Sequence, residues 1–170
     1  RQVVLEDGTR MAYARLVLAT GSDPIRLPKP GMDLPGVVTF RDHDDVGAML
    51  AAAGPATRAV VIGGGLLGIE AAYGLAATGT RVTLLHLMDR LMERQLDAEA
   101  AAMLKAALEA RGITVLLGAD TAAVEGDGCV EAIRLADGRE LPCDIVVSAV
   151  GIRPNATLAR EASLEVGRGI

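Results

Sequence analysis

Aromatic side chains are almost missing from this chain: two Tyr, one Phe and no Trp occur among 170 residues. A core without them has to be assembled from Val, Ile, Leu and Ala. With 51% of the residues apolar and 20 Gly, that composition suits a tightly packed α/β sheet protein better than an aromatic-lined binding module. Cysteine is also scarce. Cys129 and Cys143 form no C-x-x-C pair and have no His nearby, which excludes a redox dithiol and a cysteine set for an iron–sulfur cluster within the chain. They are expected to be reduced, partly buried thiols of a cytoplasmic protein. Basic clusters are absent too. Lys and Arg are scattered singly and the formal net charge is −5, so nucleic acid is not an expected partner. No stretch approaches the run of about 20 apolar residues that spans a bilayer, and the most apolar one, residues 59–69, ends at Glu70; no membrane partner is expected. The chain opens Arg1-Gln2 without an initiator Met or signal peptide and closes on Gly169-Ile170. Those ends are expected to be the edges of a piece of a longer protein.

What is present divides the chain into four stretches. Residues 2–5 and 11–18 are apolar runs separated by a turn containing Asp7-Gly8, a hairpin signal. Residues 24–35 hold Pro24, Pro28, Pro30 and Pro35 and read as an extended linker. A short helix is expected over 42–53. A βαβ unit then follows: strand 58–62, glycine turn, helix 66–78, strand 81–85, with Gly79 where a helix-ending glycine belongs. A second helix is expected over 97–111, its core-facing stripe being Ala100, Met103, Leu104, Ala107 and Leu108. Beyond it the period shifts to two: 113–117, 122–125 and 130–135 are strand-like, 139–141 is a possible edge strand, and 144–150 is an apolar run of parallel-sheet type. The expected fold is α/β and Rossmann-like, in three layers. A central parallel sheet carries helices on one face and a small antiparallel β-meander, from residues 117–141, on the other.

The chemistry lies in the glycine turn. Gly63, Gly65 and Gly68 make a G-x-G-x-x-G pattern that follows a strand directly and opens a helix. The first glycine permits a tight turn, the second lets a pyrophosphate approach bare backbone, and the third lets helix and strand pack closely. The helix N-terminus then faces the phosphates. At the end of the second strand, where an acid would hold the adenosine ribose, stands His86. Neutral, it can hydrogen-bond a hydroxyl; protonated, it can meet a 2′-phosphate. Arg90 and Arg94 can reach a phosphate or serve as surface arginines of a loop, so the choice between NADH and NADPH stays open. His43, within Arg41-Asp42-His43-Asp44-Asp45, reads as part of an acid-rich helix start rather than as a metal ligand.

Three segments resemble one family, the FAD-dependent pyridine-nucleotide oxidoreductases with two dinucleotide-binding domains. Residues 16–22, Leu-Val-Leu-Ala-Thr-Gly-Ser, look like the segment with which the FAD domain hands over to the NAD domain. Residues 60–70, Val-Val-Ile-Gly-Gly-Gly-Leu-Leu-Gly-Ile-Glu, look like the NAD(P)H fingerprint. Residues 149–155, Ala-Val-Gly-Ile-Arg-Pro-Asn, look like the strand-end turn that lines the nicotinamide side. Within the group, residues 86–97, His-Leu-Met-Asp-Arg-Leu-Met-Glu-Arg-Gln-Leu-Asp, are most similar to NAD(P)H nitrite reductase large subunits and related nitrate-assimilation electron-transfer subunits.

The resemblance implies a full-length protein that passes hydride from NAD(P)H to FAD, with electrons continuing to sirohaem and iron–sulfur centres outside this chain. It implies division into 1–22 as remnant of the FAD-binding domain, 23–57 as linker and short helix, 58–155 as the NAD(P)H-binding domain, and 156–170 as the return toward the FAD domain. Its partners would be the FAD-binding domain of the same polypeptide and a downstream electron acceptor. Carried over by position, Gly63, Gly64, Gly65, Leu66, Leu67 and Gly68 would surround the pyrophosphate. Glu70 would lie near ribose and nicotinamide, unless it is a first-turn acid favoured by the helix dipole. His86, Arg90 and Arg94 would surround the adenosine end, and Val150 and Gly151 would approach the nicotinamide. Thr20 and Gly21 would belong to the FAD side. No general acid or base is nominated, since in hydride transfer the cofactors carry the chemistry.

Other readings remain. A short-chain dehydrogenase needs Tyr-x-x-x-Lys, but Tyr73 is followed four residues on by Ala77 and Tyr13 by Val17. Rubredoxin reductase, NADH oxidase and disulfide reductase share the superfamily, and a stand-alone nucleotide-binding or redox-sensing module is the non-enzyme alternative.

Overall fold

The computed structural model describes all of residues 1–170. In chain order the elements are β1 (Gln2–Val4), β2 (Arg10–Ala12), β3 (Ser22–Pro24), β4 (Val37–Thr39), α1 (His43–Ala52), β5 (Arg58–Ile62), α2 (Leu66–Ala77), β6 (Arg81–His86), α3 (Ala98–Glu109), β7 (Thr114–Leu117), β8 (Thr121–Glu125), β9 (Ala132–Leu135), β10 (Glu140–Pro142), β11 (Ile145–Ser148), β12 (Ile152–Pro154) and α4 (Thr157–Glu161). They fall into two compact units, Arg1–Asp23 with Pro154–Ile170, and Pro24–Arg153. No helix is long and apolar enough to cross a membrane.

The larger unit is built on a five-stranded parallel sheet in the order β4-β11-β5-β6-β7. Its central strands are buried on both faces, which is why residues 59–62 and 145–148 read as unbroken apolar runs. On one face Ala59, Val61, Val82, Leu84, Ile145 and Val147 pack with Met49 of α1, Ala71 and Leu75 of α2, and Leu108 of α3. On the other, Val60, Ile62, Leu85 and Val146 pack under Val124, Ile133 and Leu135 of an antiparallel sheet, β10-β9-β8. This is the expected three-layer arrangement. Arg58 grips the Asp144 carboxylate through Nη2–Oδ1 at 2.7 Å and Nε–Oδ2 at 3.1 Å, tying the start of β5 to the start of β11. That fork holds the Asp144 carboxyl below the usual aspartate range, against the opposing effect of burial.

Three expectations need correction. The proline-rich stretch is no bare linker: it supplies the edge strand β4, buries Met32, and accepts hydrogen bonds at Pro30 O from Val124 N and at Pro35 O from Val130 N, both at 2.9 Å. The α3 stripe is also rotated. Ala101, Leu104 and Leu108 face the core, whereas Met103 is 70% exposed and Ala107 is exposed. Two overlapping rows share the same helical spacing, and packing against the sheet core decides which one turns inward; Asp97 caps the helix by accepting from Ala100 N at 2.8 Å. Finally, the cysteines are both free, Cys143 buried as expected but Cys129 exposed.

In the smaller unit β1 and β2 pair antiparallel about the expected Asp-Gly turn, where Gly8 adopts φ +82° and Thr9 N donates to Asp7 Oδ1 at 2.8 Å. The second apolar run reaches residue 18, but pairing stops at Ala12 and Val17 is 86% exposed. Tyr13 N donates to Arg1 O at 3.3 Å, and no partner strand runs beside the residues beyond it. β3 and β12 form a two-stranded sheet.

Burial pushes the Cys143 thiol up to about 12, so it carries almost no thiolate at pH 8. Iodoacetamide at that pH is expected to add one carbamidomethyl group, at Cys129, to the native chain and two to the urea-unfolded chain, read by mass spectrometry. Modification of Cys143 in the native chain at a rate like that of Cys129 would contradict the packing under the meander.

Candidate functional site

The strand order sets the location. From β5 the chain runs through α2, β6 and α3 to β7 on one side, while β11 lies on the other side of β5. The order therefore reverses between β5 and β11, and in open α/β sheets the crevice beyond the carboxyl ends at such a point is where ligands bind. Ile62, the last residue of β5, is in register with Ser148, the last of β11. Gly63 and Ala149 follow them side by side.

Each glycine of the turn has its own reason. Gly63 adopts φ +120°, and a Cβ there would meet Ala149 O at 2.4 Å. A Cβ on Gly68 would lie 1.8 Å from Gly63 O, so the first turn of α2 rests directly on the backbone of the glycine turn. Gly65 is different. It is the N-cap of α2, with φ −85° and ψ −175°, and a Cβ on it would meet nothing within 4 Å. No side chain caps α2, and no acid stands in its first turn. The helix thus presents an open N-terminus beside bare backbone, the arrangement that favours an anion. Leu66 at its first position is exposed and Leu67 partly so.

Gly64 is held inside instead. Its N–H donates to His86 Nδ1 at 3.0 Å, and its carbonyl accepts from Met92 N at 2.9 Å. Both of its backbone groups are therefore engaged by protein, and its amide is not available to a phosphate. His86, at the end of β6, is 9% exposed and its Nε2 lies 3.1 Å from Glu93 Oε2. Because Gly64 N–H requires an acceptor at Nδ1, the proton of the neutral ring belongs on Nε2, donated to Glu93. The imidazole has no nitrogen left for a ribose hydroxyl.

Glu93 is the residue that sequence reasoning missed. Its carboxyl is held below the ordinary glutamate range by its own backbone N–H foremost, against the opposing effect of burial, with the His86 hydrogen bond and the Arg94 charge adding to the lowering. The signal was available as an acid seven residues after a strand-end His. Only the tertiary turn over residues 87–96, with Met92 in the left-handed region at φ +49°, folds it back onto the ring. Arg94 Nε lies 3.7 Å from Glu93 Oε1 and its side chain is three-quarters exposed. Arg90 reaches Glu93 O at 3.5 Å and Asp89 Oδ1 at 3.6 Å, while its Nε is buried without a partner. His86, Arg90 and Arg94 are thus gathered on one turn.

The remaining candidates divide. Glu70 lies in the second turn of α2, not the first, so the helix-dipole alternative for it fails. It is exposed and lines, with Ile69, Tyr73, Leu104 and Arg111, a groove of about 350 Å³ to which no glycine of the turn contributes. Val150 packs partly against the meander-side core, and Gly151, at φ +126°, accepts from Ile25 N at 2.9 Å through its carbonyl. Thr20 and Gly21 belong to the smaller unit. There the Thr20 hydroxyl donates to Asn155 O, and Gly21 O accepts from Asn155 N at 3.0 Å. His43 follows Asp42, which caps α1 by accepting from Asp44 N and Asp45 N at 3.0 Å. Asp45 is occupied by Thr39 Oγ1 at 2.8 Å and Arg41 N at 2.7 Å.

Comparison with known proteins fits this geometry. A family model described as pyridine nucleotide-disulphide oxidoreductase matches residues 1–170. The chain is 50% identical over 170 residues to a nitrite reductase [NAD(P)H] of Bacillus subtilis, covering 99% of this chain and 21% of that protein. It is 41% identical to an assimilatory nitrate reductase electron transfer subunit of the same organism, covering 100% and 22%. Among solved structures, a ferredoxin reductase from Rhodopseudomonas palustris superposes with a TM-score of 0.91 at 34% identity, covering 100% of this chain and 42% of that one. The chain therefore spans about a fifth of the length of these two curated relatives.

The glycine contacts predict opposite outcomes for two alanine substitutions. Gly68→Ala is expected to cost about 3 kcal/mol in urea denaturation, because backbone cannot move aside, whereas Gly65→Ala should stay within about 0.5 kcal/mol of the parent. Equal stability of the two variants would remove the close-packing role assigned to Gly68.

Proposed function

The chain belongs to the pyridine nucleotide-disulphide oxidoreductase family, and from that premise we propose that it is the NAD(P)H-binding part of a flavoprotein that passes hydride from NAD(P)H to FAD. The observation that carries the reading is the uncapped N-terminus of α2 with Gly65 bare beside it, at the switch point between β5 and β11. Those residues fit a dinucleotide pyrophosphate: Gly65, Leu66, Leu67 and Gly68 would offer backbone N–H groups and the helix dipole, and Gly63 shapes the turn. Bound there, NAD(P)H supplies the hydride. The chain's own residues bind and orient it. Val150 and Gly151 stand on the loop after β11 where the nicotinamide end would lie, and the 86–94 turn would receive the adenosine end. Glu70 remains a candidate for the ribose only if its exposed side chain turns out of the α2–α3 groove.

In this reading Pro24–Arg153 contains the NAD(P)H-binding domain at 58–155 except for its last two residues, while residues 1–22 and 156–170, which fall in one unit, belong with the FAD-binding domain. Thr20 and Gly21 would then lie on the FAD side. The first FAD fingerprint is not among these 170 residues, and no group of three or more His, Cys, Asp or Glu could hold a metal ion. If the parent is a nitrite reductase, sirohaem and iron–sulfur centres would be held elsewhere in the polypeptide or complex. We assign the parent protein to nitrite reduction in nitrate assimilation on the strength of the 50% and 41% identities across the chain and the 86–97 segment. The ferredoxin reductase fold match keeps an electron-carrier protein as the second acceptor to be tested.

Calorimetric titration of the chain with NADH and with NADPH is expected to show one site for at least one of them, with Gly65→Ala folded but weakened by at least about tenfold. Binding of neither would sink the assignment. In the full-length flavoprotein, NAD(P)H oxidation should depend on added nitrite; dependence on a ferredoxin instead would move the assignment to the second acceptor.

A further inference from the structure

The 86–94 turn holds an arrangement that the glycine pattern does not explain. A Rossmann-type site normally places an acid at the end of the second strand, where it accepts from the adenosine ribose. Here that place is filled by His86, whose ring is turned under the glycine turn and whose two nitrogens are both spent, Nδ1 on Gly64 N–H and Nε2 on Glu93. A Cβ on Gly64 would lie 2.6 Å from His86 Cγ and 2.7 Å from Leu91 Cδ2. The middle glycine therefore exists to admit the ring and the leucine behind it. The carboxylate that satisfies His86 stands one imidazole width beyond the strand end. Glu93 Oε2 is used by the ring, Oε1 has Arg94 Nε at 3.7 Å, and the carboxylate also accepts from the backbone N–H of Glu93 itself. The Glu93 side chain is a quarter exposed, so it is reachable from solvent but not free to wander.

Resting on the dinucleotide reading above, we propose that Glu93, positioned by His86, is the residue that accepts from the adenosine ribose 2′-hydroxyl and selects NADH over NADPH. His86 is a positioning residue in this scheme: it carries the acid's place from the strand end to the tip of the following turn. The same carboxylate rejects a 2′-phosphate by like charge, a repulsive element of the kind that specificity requires. The cations nearby are themselves engaged. Arg90 is engaged by Asp89 Oδ1 and Glu93 O, and Arg94 leans on the Glu93 carboxylate itself. Asp89 adds a further negative charge to the turn.

The test is a set of calorimetric titrations of the full chain with NADH, NADPH and the NADH analogue lacking the adenosine 2′-hydroxyl. Glu93→Gln removes the charge but keeps an acceptor for His86 Nε2–H, so the ring and the glycine turn should stay in place. The parent is expected to prefer NADH by at least tenfold and to bind the deoxy analogue about tenfold more weakly than NADH. In Glu93→Gln, NADH should weaken about tenfold while NADPH holds or tightens, collapsing the preference. A variant that loses both dinucleotides equally would mark Glu93 as merely structural and overturn the proposal. Should Glu93→Gln fail to fold, the deoxy analogue decides on the parent alone, and equal binding of NADH and the analogue overturns it. A parent that binds NADPH as tightly as NADH overturns this inference and leaves the dinucleotide site standing. A parent that binds neither overturns both.

Discussion

Everything at the candidate site depends on backbone meeting backbone where a side chain would not fit. Gly63, Gly68 and Ala149 converge so closely that a methyl group on either glycine would lie within 2.4 Å of a carbonyl oxygen. That contact brings the first turn of α2 down onto the end of β5 and sets the end of β11 against the same point. If the glycines were larger, the helix would lift away and the open N-terminus would no longer overhang the switch point. The parallel register then carries the constraint outward. Ile62 lies level with Leu85 on one side and with Ser148 on the other, so the strand ends form one edge.

The rest of the larger unit supports that edge with ordinary means. The sheet core is mostly Val, Ile, Leu and Ala, joined by Met32, Met49 and Cys143, and the only aromatic that packs against it is Phe40. Small side chains on α2 let it sit close: Ala71, Ala72 and Leu75 are almost fully buried. The helix tolerates Gly68 and Gly74, each costing about 1 kcal/mol relative to alanine, because the sheet fixes it. On the opposite face the meander and Met32 seal the strands from water. The larger unit is thus a rigid platform, and what varies chemically is confined to the turns at one end of its strands.

The β5-α2-β6 unit was legible in the sequence almost to the residue, since a continuous apolar run, glycines at fixed offsets and Gly79 all act locally. The meander was legible for the same reason, its strands separated by Gly and Asp. Strand β4 was not. Three residues inside a proline-rich stretch have no periodicity to read, and only β11 beside them makes them a strand. The face of α3 was half read: Leu104 and Leu108 face the core as expected, but Ala101 joins them rather than Met103 and Ala107, because both sets keep helical spacing. The site was half legible. Glycine identities follow from backbone geometry, which sequence records well, but the direction in which His86 points is a tertiary fact. Without it, His86 looked like a ligand of the cofactor and Glu93 drew no notice.

The shortness of β4 matters beyond the site. A parallel sheet ends in a row of unpaired N–H and C=O groups, and such a row invites pairing with another molecule. Here one border of the five-stranded sheet is a strand of three residues, entered from Pro35-Gly36, with the Pro35 carbonyl already committed to Val130. An incoming strand would find too few free groups in line to add itself. The same proline-rich stretch that hides β4 from sequence inspection thereby blunts that border against edge-to-edge aggregation, and it does so without any charged gatekeeper among Val37, Val38 and Thr39.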